Sequence, residues 1–247
     1  MSCETCAAAC PAAKGARTSG GQGAGVAVAL LGQPNSGKST LFNGLTGARQ
    51  HVGNWPGKTV ERKEGSFRIG DTQCRVVDLP GAYGLSANSP EEEVARDYLE
   101  SGDADVVVVM ADASQLQRSL YMLAEFAAAH PEQPSLLALN LMDVAEGQGK
   151  RIDSALIEQR LGIPVVPLVA SRPEGYGNLL CAIERTARER PSIDDDRLRR
   201  EMASAPATAQ GAGKARFAWI EWLLDGAVSA PEKAHALSRF DRLATGS

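Results

Sequence analysis

The residues best suited to chemistry begin at Gly32. Gly32-Gln33-Pro34-Asn35-Ser36-Gly37-Lys38-Ser39 sets a glycine, four residues and then Gly-Lys-Ser directly after the apolar run Val26 to Leu31 and before the helical pattern Thr40 to Leu45. Polyphosphates need backbone N–H donors that approach closely, and small residues at a strand-to-helix turn allow that approach. In such a loop a lysine neutralises the β- and γ-phosphates and the following hydroxyl offers an oxygen to Mg²⁺, the roles expected of Lys38 and Ser39. The stretch from Gly32 to Thr40 is therefore expected to wrap a nucleoside triphosphate, although it does not tell ATP from GTP.

Two later segments bear on that choice. Asp78-Leu79-Pro80-Gly81 follows the run Cys74 to Val77, which puts a carboxylate at the C-terminal end of a strand, where a Mg²⁺-bound water is held. Gly81 gives a backbone hinge beside the γ-phosphate. Asn140-Leu141-Met142-Asp143 follows the run Leu136 to Leu139. A carboxylate at Asp143 accepts from guanine N1–H and from the exocyclic N2 amino group, a donor pair that adenine lacks. Alone, Asn-x-x-Asp is equally a turn and helix cap; its place after the other two segments is what favours GTP. Thr59 lies between the phosphate loop and Asp78, in the segment His51 to Glu61 with Trp55 and Pro56. It is expected to give Mg²⁺ a second hydroxyl while the γ-phosphate is present and to withdraw after hydrolysis. The competing reading makes Thr59 simply the start of the next strand.

These residues need a frame. Val26 to Leu31, Cys74 to Val77, Val106 to Met110, Leu136 to Leu139 and Val165 to Leu168 are short, nearly continuous apolar runs separated by helical patterns. Strands of that kind are buried on both faces, as in a parallel sheet covered by helices. Within Ser66 to Val77, Gly70-Asp71 separates two alternating segments, a hairpin signal that adds an antiparallel edge. The expected fold class is α/β, a mostly parallel sheet with one antiparallel edge strand and helices on both faces, followed by a small all-α domain. Residues 1–25 read as a flexible Cys-containing arm, 26–190 as the nucleotide domain and 191–247 as the helical one. The last part opens with Pro191 and the acidic triplet Asp194 to Asp196, passes through the Ala/Gly/Pro-rich stretch Ser204 to Gly213, read as a linker, and enters Lys214 to Val228. There Phe217, Ile220, Leu224 and Val228 recur at helical spacing, widened by Leu223 and Ala227. Trp219 and Trp222 flank the stripe, and the lesser reading gives them to a partner or membrane-proximal surface.

Composition narrows the classes. With 43% hydrophobic and 23% charged residues in 247, the chain falls in the ordinary globular range. A net charge of −4 speaks against nucleic acid held on a broad basic surface. The longest apolar runs fall far short of the roughly 18 residues that cross a bilayer as a helix. No charged start followed by an apolar run marks a secretory signal. Five cysteines, three of them in the first ten residues, suit a reducing compartment better than a disulfide scaffold. Cys3, Cys6 and Cys10 form Cys-x-x-Cys-x-x-x-Cys. Three thiolates could hold iron, zinc or part of an iron-sulfur cluster, but no fourth ligand is evident, and a thiol-bearing arm without assigned chemistry is the other reading.

Taken together, residues 32 to 43, Val-Gly-Asn-Trp-Pro-Gly (52 to 57), Thr-Val-Glu (59 to 61), Asp-Leu-Pro-Gly (78 to 81), Ser-Gly-Asp-Ala-Asp (101 to 105) and Asn-Leu-Met-Asp (140 to 143) resemble the cytosolic N-terminal region of the FeoB family, bacterial ferrous iron transporters. The likeness runs over roughly residues 26 to 240, and the Val-Gly-Asn-Trp-Pro-Gly segment is its most specific part. The resemblance implies a P-loop GTPase followed by a helical domain like a nucleotide-dissociation inhibitor. It further implies a membrane permease in the same native polypeptide, absent from this chain, and a place on the cytoplasmic face of the bacterial inner membrane. GTP and GDP are the implied ligands and small Feo accessory proteins the implied partners; homo-oligomerisation stays open.

The resemblance also bears on mechanism. Ala82 stands where Ras-like proteins have a water-orienting glutamine. Asn35 matches the position that helps coordinate K⁺ in related GTPases, so K⁺-stimulated hydrolysis is expected, with the ion in the place of an arginine finger. Leu141 replaces the lysine that many GTPases place over the base, which implies loose nucleotide holding. Lys58 sits where the family more often has an apolar residue. Ala170-Ser171-Arg172 is a loose match to the loop whose backbone contacts the guanine oxygen, which brings Ala170 and Ser171 into the site. A free-standing soluble switch GTPase of ribosome or RNA maturation is the alternative from another class.

Overall fold

The structure, a computed structural model, describes residues 25–229 apart from 48 and 87. Cys3, Cys6 and Cys10, almost all of the 1–25 arm and residues 230–247 lie outside the described residues.

The chain begins with β1 (Val26–Gly32), α1 (Lys38–Thr46), β2 (Gln50–Asn54), β3 (Glu61–Ile69) and β4 (Thr72–Asp78). It continues through α2 (Pro90–Ser101), β5 (Val106–Asp112), α3 (Leu116–Ala129), β6 (Ser135–Asn140) and α4 (Met142–Gly147). The last elements are β7 (Arg151–Ile152), α5 (Ser154–Leu161), β8 (Val165–Pro167), α6 (Tyr176–Glu189), α7 (Asp196–Ser204), α8 (Ala209–Leu224) and β9 (Val228–Ser229). The main sheet runs β2-β3-β4-β1-β5-β6-β8. Its core is parallel, with β1 between β4 and β5, then β6 and β8.

The continuous apolar strands are explained by a core on each face. Along β1, Ala29 and Leu31 point to one side and Val28 and Leu30 to the other, as the two-residue period of a strand requires. The first side packs Leu99 of α2, Leu123 of α3, Ile157 of α5, Leu198 of α7 and Trp219 of α8. The second packs Leu41 and Phe42 of α1 and Leu179 and Ile183 of α6.

The hairpin at Gly70-Asp71 forms as expected: Ile69 pairs with Thr72, and Gly70 takes φ 55. The edge, however, carries one strand more than the sequence suggests. β2 pairs antiparallel outside β3 and overlaps the segment His51 to Glu61 read above as a switch. Its residues Gln-His-Val-Gly-Asn are mostly exposed, so it has no buried face to leave an apolar alternation.

The C-terminal helical region is present, with its apolar face turned from the one expected. Ala215, Trp219, Ile220 and Leu223 are buried, whereas Phe217 is 44% exposed. Trp219 is wholly buried and joins the core of α3 and α5. Trp222 is partly buried beneath the guanidinium groups of Arg160 and Arg197, 5.4 and 5.2 Å from its ring. The stretch read as a linker ends sooner too, since α8 starts at Ala209 with the Thr208 hydroxyl accepting the Gly211 N–H at 3.0 Å. At the other end Arg160 donates to the carbonyls of Trp222, Leu223 and Asp225, closing the helix as a cation at a C-terminus does. Val228 then falls in β9, paired with Ile152, not in the helix.

Candidate nucleotide site

The turn between β1 and α1 is built for close backbone approach. Asn35 takes φ 65 and Gly37 φ 91, a left-handed region that asparagine tolerates and glycine adopts freely. A β-carbon on Gly37 would collide with the Asn140 side-chain nitrogen. This geometry leaves the first N–H groups of α1 facing out of the turn, an anion-binding arrangement. Gln33 is fixed from outside by its amide donating to the Arg118 carbonyl at 3.0 Å.

Lys38, the first residue of α1, donates to the carbonyls of Gly32 and Gln33 at 3.1 and 3.3 Å. Burial lowers its pKa from the usual amine value, and the nearby Asp78 carboxylate opposes that shift. Asp78 ends β4, and burial raises its pKa while Lys38 and the Ser39 hydroxyl pull it back. Ser39 donates to Asp78 Oδ2 at 3.1 Å. Asp78 Oδ1 and the Ser36 hydroxyl are buried without a hydrogen-bond partner, so both have capacity left for a ligand. Gly81 lies against the loop: a β-carbon there would sit 3.1 Å from Pro34 Cα and 3.3 Å from Lys38 Nζ. Ser39 and Asp78 are hard oxygen donors of the kind Mg²⁺ takes. Among the described residues no group of three or more His, Cys, Asp or Glu gathers around a metal position, so an ion here would draw its other ligands from phosphate and water.

Asn140 joins this turn to the opposite loop. Its Nδ2 donates to the Ser36 carbonyl and its Oδ1 accepts the Ala170 N–H, each at 2.8 Å, and the side chain is buried. Leu141 takes φ 61 and starts α4. That turn presents Asp143 at the surface, where Arg172 lies 3.3 Å from Oδ2. The Asn-x-x-Asp segment is therefore both a helix start and a link between two loops.

The structure thus brings Pro34, Ser36, Gly37, Lys38, Ser39, Asp78, Gly81, Asn140 and Ala170 together. Asn35, Thr40 and Ser171 lie exposed at the rim. Thr59 is not gathered in: it is exposed, and among the described residues no hydrogen bond ties it to Ser39 or Asp78. Its segment instead packs on α2. Trp55 meets Tyr98 edge-on with ring centroids 5.5 Å apart, and Lys58 Nζ lies 2.7 Å from Glu93 and 3.6 Å from Asp97. Lys58 is thus held by carboxylates, which gives its charge a place at this position. Sequence reasoning missed Tyr176, whose hydroxyl donates to the Ala170 carbonyl at 2.6 Å. A tyrosine at the head of an amphipathic helix carries no pattern that sets it apart from core.

No helix among the described residues is long and apolar enough to cross a membrane. The family model described as Ferrous iron transport protein B matches residues 26–183. The Fe(2+) transporter FeoB of Salmonella typhimurium is 51% identical over 162 residues, which cover 64% of this chain and 21% of that protein. The chain therefore spans about a fifth of the length of such relatives. The cytosolic domain of the T. maritima FeoB iron transporter in its GMPPNP form superposes with a TM-score of 0.73 at 30% identity, covering 83% of this chain and 99% of that one. Its GDP form gives a TM-score of 0.72 at 30% identity, covering 85% and 100%. The chain carries the GTP-binding P-loop GTPase fold of the FeoB G domain, and it belongs to the ferrous iron transport protein B family.

Proposed function

We propose that this chain binds GTP with Mg²⁺ and hydrolyses it to GDP and phosphate. One observation carries the reading: Asn140 fastens the phosphate loop to the Ala170 loop, so the loop that would hold the phosphates and the segment that would read the base are tied into one site. Lys38 would exchange its carbonyl partners for the β- and γ-phosphates, and the Gly81 N–H beside Pro34 would meet the γ-phosphate. Asp143, with Ala170 and Ser171 beside it, would read guanine. Ser39 and Asp78 would hold Mg²⁺, with Thr59 joining when its segment leaves α2. Mg²⁺ so held would offset the charge on the transferring phosphoryl group. Asn35, exposed and without a hydrogen-bond partner for its amide among the described residues, would offer an oxygen to K⁺. Such an ion would add positive charge where Ala82 leaves no side-chain amide.

Residues 26–190 would form the GTPase unit and 191–247 the helical unit. By the names of its relatives, the chain would serve Fe²⁺ uptake as the cytosolic part of a polypeptide that includes a membrane permease at the bacterial inner membrane. The test is phosphate release from GTP and ATP by the purified chain, in K⁺ and in Na⁺ at matched ionic strength, with the Asp143→Asn variant alongside. Mg²⁺-dependent release from GTP alone, faster in K⁺ and suppressed by D143N, is expected. Equal use of ATP would overturn the guanine assignment, and equal rates in the two salts would overturn the K⁺ role.

A further inference from the structure

A buried carboxylate outside the nucleotide site touches both the loop after Gly81 and the C-terminal helix. Glu125 lies on α3 with its side chain 6% exposed. Its Oε2 accepts the Leu85 N–H in a short hydrogen bond, and its Oε1 is 3.5 Å from the Ser86 hydroxyl. The same Oε1 is 3.5 Å from Arg216 Nη1 on α8. Gly84 permits the approach, because a β-carbon there would stand 2.7 Å from Oε2. Arg216 is in turn fixed by Tyr121 of α3, with its guanidinium 5.8 Å from the ring centroid and its Nη1 3.5 Å from the hydroxyl.

A carboxylate this buried persists only when paired and hydrogen-bonded. Its partners come from two separate parts of the chain, the loop after Gly81 and α8. Leu85 belongs to the short loop that begins at Gly81, and Leu79, Ala82 and Leu85 are buried in the core that α3 and α8 share. A shift of α8 that carried Arg216 away would leave the charge on Glu125 unpaired, and the loop amide bound to it would be the element free to yield.

Resting on the GTPase reading above, we propose that Glu125 is a positioning residue for GTP hydrolysis. It holds the 82–86 loop so that the Gly81 N–H faces the terminal phosphate, and Arg216 makes that hold depend on the seating of α8. Glu125 touches no reacting atom, and its effect is on hydrolysis more than on GDP binding, because GDP lacks the phosphate that Gly81 would meet.

The test compares the full chain with Arg216→Ala, Arg216→Lys and Glu125→Gln, reading kcat and KM for GTP, GDP affinity, and amide hydrogen exchange at residues 84–86. For R216A, kcat is expected to fall about tenfold and exchange at Leu85 to rise by a similar factor, the scale of one charge-assisted hydrogen bond. GDP affinity should hold within about twofold, a change well under about 1 kcal/mol, because GDP lacks the phosphate that Gly81 would meet. R216K should recover most of the rate, and E125Q should resemble R216A. Unchanged exchange at 84–86, or faster exchange with an unchanged rate, overturns the proposal. A parallel loss of GDP binding, kcat and thermal stability that R216K does not restore reduces the contact to a structural tie. A wild-type chain without turnover removes the GTPase reading itself, a result recognisable because it does not depend on Arg216.

Discussion

Asn140 is hydrogen-bonded to Ser36 across 104 residues of chain, through a 2.8 Å bond from its amide to the Ser36 carbonyl, and the same side chain accepts the Ala170 amide. Both partners are buried, so truncation strands a carbonyl and an N–H together. Asn140→Ala is expected to destabilise the fold by about 3 kcal/mol, for two unsatisfied groups, and to weaken GTP and GDP binding alike. Urea unfolding with parallel nucleotide titrations measures both. A stable variant that had lost only GTP binding would show that the contact belongs to the γ-phosphate side.

Gly81 should separate hydrolysis from binding. A methyl group there presses on Pro34 and Lys38 at 3.1 to 3.3 Å, an overpacking worth about 1–3 kcal/mol. Gly81→Ala is expected to keep GDP binding while GTP turnover falls by at least about tenfold, in proportion to that energy. Stopped-flow binding beside steady-state phosphate release gives the comparison, and equal losses in both would contradict it.

Trp219 tests how far the C-terminal helix belongs to the nucleotide unit. Its side chain is wholly buried and its indole N–H has no hydrogen-bond partner. Trp219→Ala should cost about 4 kcal/mol through cavity formation. Trp219→Phe, which removes the unpartnered N–H and keeps most of the apolar area, should cost clearly less. A single cooperative melt in both variants is expected, because α8 shares its core with α3 and α5; two separate transitions would show that the helix melts on its own.

Lys58 holds the Trp55 segment to α2 through ion pairs whose side chains are 25 to 48% exposed. Such pairs are worth less than about 1 kcal/mol and weaken with salt. Lys58→Ala should leave the unfolding midpoint nearly unchanged yet speed proteolytic cleavage between residues 55 and 60, and high salt should do the same to the unmodified protein. Cleavage insensitive to both would assign the docking to the Trp55–Tyr98 contact alone.

Cys74 carries the clearest pH signature. It is fully buried on β4, and desolvation with a smaller contribution from Glu184 pushes its thiol up from 9.0 to about 11. The folded state therefore keeps a proton that the unfolded chain gives up. The resulting stability is complete below about pH 9 and is lost as pH rises through about 11. Alkylation at pH 8.5 followed by peptide mapping should leave Cys74 unmodified until the protein is unfolded; labelling in the native state would contradict the burial.

The parts of the molecule legible in the sequence are those where one physical demand dominates. Val26 to Leu31 reads as a strand because both its faces are buried, and Gly37 reads as a turn because its backbone is left-handed. β2 was hidden because an exposed edge strand asks nothing of its side chains. The face of α8 was misread because spacing ranks Phe217 with Ile220 and cannot tell that Trp219 fills the space above α3. Asp143 could be named from its spacing, but the second role of Asn140, as the link between two loops, needs Ala170 in place, and no local pattern reports a partner 30 residues away.

The strand order also has a bearing on synthesis. β1 is the first of the described strands but takes its two neighbours from β4 and β5, and the Asn140 link is complete only when residues as late as Ala170 have left the ribosome. Parallel pairings of this kind form late and slowly. A nascent chain thus exposes its phosphate loop long before that loop is rigid, and nucleotide captured at completion would favour the finished fold by mass action. On the GTPase reading proposed above, guanine nucleotide would then stabilise the finished fold as well as serve as substrate.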